Sequence, residues 1–200
     1  MTQTRESDKQ DVDGNVKHIL TIDLDWSLTD RQNLEIISLC TKLFKTNIPI
    51  YFIKQHHHAY DLIDKNSIIY NIDHHHDIFY NSDHLQYLNE NKVDEGSWVM
   101  GAIFEKKIKG YIWIKNYNSD YDEKVLLKHT FLRNLEIFKI FNNLSDLKIP
   151  KTDKVIICES ACYNKSTSFT YQLLKNLCVD LQKTYEEIEK PNDLSYNYLK

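Results

Sequence analysis

The chain has 200 residues, 42% apolar and 27% charged, which is enough apolar side chain for one core and too little length for a second full domain. Four Gly and three Pro exclude collagen-like, linker-like and Pro-rich classes, and 25 Lys plus Arg against 29 Asp plus Glu leave a formal charge of -4, with no overall basic field for nucleic acid. Cys40, Cys158, Cys162 and Cys178 lack regular spacing and no secretory h-region is present, so the sequence predicts reduced thiols in a cytoplasmic protein, and no apolar run approaches the roughly 20 residues that cross a bilayer.

Residues 1–17 are polar and charged and are predicted to form a disordered tail, leaving 18–200 as a single domain. From His18 the run His-Ile-Leu-Thr-Ile-Asp-Leu-Asp-Trp reads as a buried strand whose carboxy end delivers Asp23 and Asp25. The period of two in an extended chain predicts that both acids point the same way. Asp30 reads as the N-cap of a helix with Leu34, Ile37, Leu39, Leu43 and Phe44 at roughly helical spacing, ending before Pro49. Ile48 to Lys54 is the second predicted strand, with His56-His57-His58 at its end; Ala59 to Ile63 continues as a helical turn, and Ile68 to Ile72 is the third strand. Three strand-then-polar units separated by helical segments predict a parallel three-layer α/β sheet with ligands beyond the carboxy ends of its strands. Farther on, Trp98 to Lys107 reads as a short helix, Tyr111 to Lys115 as a strand, Val125 to Phe141 as a mixed apolar pattern, and Val155 to Cys158 as a buried strand followed by Glu159. Ser166 to Lys190 carries Phe169, Leu173, Leu174, Leu177, Leu181, Tyr185 and Ile188 on one helical face, which predicts one long packing helix.

The segment Asn71-Ile72-Asp73-His74-His75-His76-Asp77-Ile78 carries the chemistry. Alternation along an extended chain puts Asp73, His75 and Asp77 on one side, as oxygen and imidazole ligands of the kind Mn2+ accepts, and turns His74 and His76 away. Asp23 and Asp25 repeat the spacing at another strand end, and the first His triplet supplies a further imidazole. With two oxygens on each of four carboxylates beside two imidazoles, the donor atoms exceed what one octahedral ion needs, so the count points to two bridged metals. Taken alone, an Asp-x-Asp is as readily a turn or helix cap, and a His triplet a solvated loop; their coincidence at successive strand ends favours metal binding. Zinc held mainly by Cys is disfavoured, because no thiol pair has C-x2-C spacing.

Together these motifs resemble the ureohydrolase, or arginase-like, family, whose metal sites use an Asp-x-His-x-Asp motif, an Asp-x-Asp motif and one further His. The match runs over roughly residues 18 to 165. The early Asp-Leu-Asp-aromatic, the His-rich strand end and the short chain are most similar to the small members that include peptide arginases, which convert arginine to ornithine within ribosomally made precursor peptides. The resemblance implies a three-layer α/β arginase-like fold with a mainly parallel central sheet and two Mn2+ ions. Asp73, His75, Asp77, Asp23 and Asp25 are then ligands, with His56 the favoured further imidazole and His57 next, and Asp25 and Asp77 bridge or flank the pair. It implies a carboxylate that grips the planar guanidinium, a role that Glu159 takes by its position after a strand. Ser97 and Trp98, in the polar loop Asp94-Glu95-Gly96-Ser97-Trp98, are expected to line the substrate pocket, and His57 and His76 are the nearest proton donors for the leaving amine.

Two departures qualify the match. The Asp-x-Asp precedes the Asp-x-His-x-Asp, the reverse of ordinary arginases, and neither a Gly-Gly-Asp-His segment nor the loop that reads a free amino acid's α-groups is present, which fits an arginine-containing precursor peptide as partner. Nothing in the sequence assigns an oligomeric state. Two competing expectations remain. Ile72-Asp73-His74-His75 is also similar to the Asp-His-His motif of Mn2+-dependent phosphoesterases, which would use His74 in place of His75. A non-catalytic, metal-dependent peptide-binding module is the third reading, to which the thirteen Tyr would contribute contact surface.

Overall fold

The computed structural model describes residues 15–79, 82–119, 126–146, 148, 151–189 and 196–197. Nine strands are described: β1 Lys17–Asp23, β2 Ile50–Ile53, β3 Ser67–Ile72, β4 Lys92–Val93, β5 Ile108–Ile114, β6 Ile137–Phe141, β7 Lys154–Cys158, β8 Glu186–Ile188 and β9 Tyr196–Asn197. Between them run helices α1 Asp30–Phe44, α2 Ala59–Leu62, α3 Ser82–Asn89, α4 Trp98–Phe104 and α5 Thr167–Asp180. Seven strands form one sheet in the order β6-β5-β3-β1-β7-β2-β8, with every pairing parallel, while β4 and β9 make a small antiparallel pair.

Parallel strands need crossovers, and the crossovers cover both faces of the sheet. Alternate strand residues divide between two cores. Leu20 and Ile22 of β1, Phe52 of β2 and Ile157 of β7 pack with Ile36, Cys40 and Phe44 of α1 and Tyr171, Leu174 and Cys178 of α5. Ile19, Ile53, Ile69, Tyr111, Trp113 and Ile156 point the other way, toward Ala59 and Tyr60 of α2 and the largely buried α4. The result is a three-layer α/β architecture, as the sequence predicted. No described helix is long and apolar enough to cross a membrane.

Local differences from the expected elements have identifiable causes. Thr29, and not Asp30, caps α1: its hydroxyl accepts from the Gln32 N–H at 3.3 Å, and Asp30 becomes the first helical residue, where its charge suits the helix dipole. The stripe α1 buries is Gln32, Ile36, Cys40 and Phe44, spaced by four, which leaves Leu34 66% exposed on the opposite side. The predicted 166–190 helix ends at Asp180, where Gln182 takes a positive φ of 54° and the chain turns back to pair β8 with β2. Its inward face is Tyr171, Leu174 and Cys178, and Phe169 is 77% exposed. Part of the mixed 125–141 segment becomes strand β6. Lys17, assigned to the tail, opens β1, and residues 1–14 of that tail lie outside the described residues.

The topology determines where a site can form. From β1 the chain passes through α1 to β2 on one side, then crosses to β3 on the other, so the strand order reverses beside β1. Such a reversal opens a crevice beyond the carboxy ends of the strands. Burial in α5 is directly testable. Leu174→Ala should cost about 2–5 kcal/mol in denaturant unfolding, whereas Phe169→Ser should shift stability by no more than about 0.5 kcal/mol; a comparable loss from both would follow if the sequence-predicted face, which holds both residues, were the buried one.

Candidate metal centre

Strands β1 and β3 are neighbours in register, with Ile22 opposite Ile72, so the residues that follow them, Asp23 and Asp73, emerge side by side. On the other side of β1, β7 brings Cys158 opposite Asp23. The chain beyond β2 forms a tight 3-10 turn over His56–His58, which delivers His56 across the end of β7. Asp23 ends its strand, and Asp25 lies in a 3-10 turn, Leu24–Trp26, closed by the Asp25 N–H donating to Asp23 Oδ1 at 3.1 Å. Asp23 therefore reaches the site from the strand end and Asp25 through a turn, and the extended alternation expected of them stops at Asp23.

The same holds for the second motif. The chain leaves β3 at Ile72, the His75 N–H donates to Asp73 Oδ1 at 2.8 Å, and Asp77 adopts a left-handed φ of 52°, a conformation Asp tolerates better than most residues. Turn geometry thus achieves the convergence of Asp73, His75 and Asp77 that alternation predicted. His76 is buried with its ring edge against Trp113 and its Nδ1 accepting from the Ile78 N–H at 3.0 Å. His74 Nδ1 lies 3.4 Å from the Ser119 hydroxyl.

All six expected ligands meet in one cluster. His56 Nδ1 lies 3.2 Å from Asp23 Oδ2, 3.0 Å from Asp73 Oδ2 and 2.8 Å from Asp77 Oδ2, and His75 Nδ1 lies 3.1 Å from Asp25 Oδ2. Asp23, His56 and Asp73 form one triad, and Asp25, Asp73 and His75 a second, each with ligand atoms within 4.8 Å of one another. A single ring N–H can be donated to only one of the three carboxylate oxygens around His56 Nδ1. Asp25 Oδ1 is buried without a hydrogen-bond partner among the described residues. Anionic oxygens and ring nitrogens crowded in this way fit a bound divalent cation, and Asp73 is common to both triads.

The electrostatics agree. Burial, then the Asp23 charge, pushes the Asp25 carboxyl up to about 8 against the pull of His75. Burial and the charges of Asp77 and Asp23 push Asp73 up to about 7. Burial opposes a charge on His75, but its hydrogen bond to Asp25 and the surrounding carboxylates raise it to about 10; His56 is raised well above its ordinary value by Asp77, Asp23 and Asp73 in the same way. For Asp23, burial is outweighed by His56, the Ser160 hydroxyl and the Asp25 N–H, and its carboxyl is lowered.

Three of the acids, Asp23, Asp73 and Asp77, are held from behind. Ser160, buried and at a positive φ of 46°, donates its hydroxyl to Asp23 Oδ2 at 2.6 Å. The Trp98 indole N–H donates to Asp77 Oδ2 at 2.6 Å. Asn71 donates to Asp73 Oδ2 at 3.1 Å and to the Tyr111 hydroxyl at 2.9 Å; Tyr111 in turn donates to the His76 carbonyl at 2.8 Å, and the Trp113 indole to the Asp73 carbonyl at 3.0 Å. Such partners set ligand orientation and basicity.

Over the cluster lies a cavity of about 460 Å3 lined by Asp23, Gln55, His56, His57, His75, Asp77, Tyr87, Asp94, Glu95, Gly96 and Tyr163. His57 is in this wall. Three other expectations are met differently. Glu159 is not among the lining residues; its Oε2 is bound by Lys54 at 2.6 Å, and although burial resists ionisation, the Lys54 and Ser168 hydrogen bonds lower its carboxyl. The Asp94 loop does line the cavity, but through Asp94, Glu95 and Gly96. Ser97 is buried and closes that loop by donating to Asp94 Oδ1 at 2.6 Å, and Trp98 is buried behind Asp77. Sequence reasoning missed Ser160, Asn71, Tyr111, Glu95 and Tyr163, whose roles depend on contacts made between distant segments.

Two predictions follow from this geometry. Trp98→Phe, which removes one N–H from behind Asp77, should weaken divalent-cation binding about 10–100-fold while far-UV circular dichroism is retained. In the metal-free protein, the stability contributed by Asp25 and Asp73 is complete below their unfolded value of 3.8 and is lost as pH rises through about 7 to 8, and that of His75 is complete below 6.5 and lost toward about 10. The metal-free thermal midpoint should therefore fall from about pH 6 to about pH 9, with the opposite contribution of Asp23 confined to acid, and a saturating divalent cation, which binds the deprotonated ligands, should flatten or reverse that fall. Among known proteins, no family model matches the chain, and no curated protein or solved structure matches it either.

Proposed function

We propose that the protein is a manganese-dependent hydrolase of guanidino groups that converts peptidyl arginine to ornithine with release of urea. The observation that carries this reading is the cavity wall beyond the ligands. It presents Asp94, Glu95, Gln55, Tyr87 and Tyr163, and its described lining includes no Lys or Arg. A guanidinium is permanently charged and offers five N–H donors in a plane, so an acceptor-rich wall suits it. A phosphoester would meet no Lys or Arg in that described lining, and neither would the α-carboxylate of free arginine, which favours an arginine within a peptide. The participation of His75, in place of His74, in the acid cluster also favours the Asp-x-His-x-Asp reading over the Asp-His-His one.

Asp23, Asp25, His56, Asp73, His75 and Asp77 are the residues that would hold two Mn2+ ions, consistent with a donor set of carboxylates and imidazoles. Such cations supply Lewis acidity and a water acidified toward neutral pH. The chain's own residues do the rest. An acid in the cavity wall pairs with the guanidinium, and Glu95 takes this role in place of the Lys54-bound Glu159. Water adds to the guanidinium carbon, the bond to the side-chain nitrogen breaks, and urea departs. His57, in the same wall, protonates the departing amine.

Incubation of arginine-containing peptides with protein and Mn2+ should remove about 42 Da per arginine, the mass of CH2N2, with stoichiometric urea. Free arginine should react poorly, and chelator or Asp77→Asn should abolish the change. Phosphodiester cleavage with arginine untouched would replace this reading with the Asp-His-His one, and metal binding without any turnover would leave a binding module.

A further inference from the structure

A second cavity, of about 260 Å3, is lined by residues that follow β1, β5 and β6, and it shares no lining residue with the cavity over the acid cluster. Trp26, the last residue of the 3-10 turn that carries Asp25, forms part of its wall, with Thr29, Arg31 and Gln32 at the start of α1 and Asn116 beyond β5. Asn116 is buried and donates its side-chain amide to the Trp26 carbonyl at 2.6 Å, which ties the two segments of the wall together.

Two of the wall residues are buried donors that lack an acceptor. Trp26 is 2% exposed, and its indole Nε1 has no hydrogen-bond partner among the described residues. Gln32 is 6% exposed, and its Oε1 accepts from the Leu28 N–H at 2.9 Å and from the Thr29 hydroxyl at 3.2 Å. Those two bonds fix which end of the amide is which, and they leave Nε2 without a partner among the described residues. The N–H groups of Asp30 and Arg31, in the first turn of α1, precede any intrahelical acceptor, whereas the Gln32 N–H is already held by the Thr29 hydroxyl.

We infer that this cavity is a carboxylate-binding site, in which the Trp26 indole N–H and the Gln32 amide N–H hold the ligand's oxygens at the N-terminus of α1. It stands independently of the proposed function. An indole N–H, a primary amide N–H and the first N–H groups of a helix all donate, so the complementary ligand presents acceptors. The helix dipole adds roughly half a positive charge at the same place, which favours an anion. Arg31 is bonded to Glu35 at 3.2 Å, and the described lining includes no Lys, so full positive charge is scarce. Neutral donors and a partial charge suit a planar carboxylate with one negative charge better than a phosphate dianion. The volume lies just below the range of ordinary ligand pockets, which limits the occupant to a small acid or the acidic end of a longer one.

The test follows the three tryptophan indole N–H signals of the isotope-labelled full chain by NMR, without added metal, and Trp26→Phe assigns the Trp26 signal by its loss. At constant ionic strength acetate should move that signal saturably, and acetamide, its neutral analogue, should leave it in place. The Trp98 indole donates to Asp77 Oδ2, so its signal reports any anion that enters the acid cluster. Gln32→Glu keeps an oxygen to accept from Leu28 and Thr29 but exchanges the amide donor for a negative charge. It should weaken acetate binding at least about tenfold, with a thermal midpoint near that of the unaltered protein. A peptide with blocked ends and a single glutamate separates the sources of the carboxylate. Saturation by this peptide as well as by acetate would uphold the site for an acidic side chain, and saturation by acetate alone would uphold it for a small free acid. Tighter binding of inorganic phosphate than of acetate would overturn the assignment to a carboxylate. No saturable shift at Trp26, a shift confined to Trp98, or undiminished affinity in Gln32→Glu would overturn the site itself.

Discussion

Four buried carboxylates packed around two imidazoles need positive charge among them, and the rest of this structure is arranged around that requirement. Like charges at such separations in a poorly solvated site cannot all persist, so protons or cations must be taken up. The raised carboxyls of Asp25 and Asp73 and the raised imidazoles of His56 and His75 express the first response. A divalent cation is the second, and it is favoured because a metal satisfies several oxygens at once where a proton satisfies one or two. The three oxygens around His56 Nδ1 make the distinction concrete, since one N–H can serve only one of them.

Such a cluster survives folding because the sheet delivers its members on stiff supports. β1, β3 and β7 are central strands, paired on both edges, and their ends place Asp23, Asp73 and Ser160 within a few residues of regular structure. Aromatic donors then fix the segment that carries the second acid motif: Trp98 of α4 bonds the Asp77 carboxylate, and Trp113 and Tyr111 of β5 bond the Asp73 and His76 carbonyls. Aromatic N–H and O–H groups suit this work, because each carries a polar tip on a large apolar body that the core secures. The core and the site share these residues, so a change that loosens Trp98 or Trp113 disturbs both packing and ligand geometry.

Much of the architecture was legible in the sequence because it rests on local pattern. The strands β1, β2, β3 and β7 announce themselves as short apolar runs ending in Asp, His or Glu, and the order of strand and helix requires a parallel sheet. The ligand set was legible for the same reason. What the pattern misjudged was direction: Leu34 and Phe169 lie at helical spacing with apolar neighbours, yet each faces outward, because helix rotation is set by contact with the sheet and not by the helix alone. Alternation also reached the residues that cluster, but by the wrong route. A period of two and a pair of turns both bring residues i, i+2 and i+4 together, and sequence spacing does not distinguish them. Ser160 and Glu95 lay beyond reach altogether, since their partners are 137 and 67 residues away.

The placement of Glu159 and Glu95 shows how electrostatic context overrides position. Both follow strands at the carboxy edge of the fold, and by chain position Glu159 is the more natural acid to face a substrate. Lys54, at the end of the neighbouring β2, neutralises it, and a carboxylate already paired with an ammonium has little left to offer a guanidinium. Glu95 has the Cys162 thiol beside it, pairs with no Lys or Arg among the described residues, and opens on the cavity. Its negative charge is therefore available, and it sits in the field of Asp23, which resists adding further anions to the cavity. A site that concentrates negative charge in this way has two means of relief, cations at its floor and a cationic group at its mouth. Under the proposed function, selectivity for a guanidinium and retention of metal would be two consequences of the same excess of carboxylate.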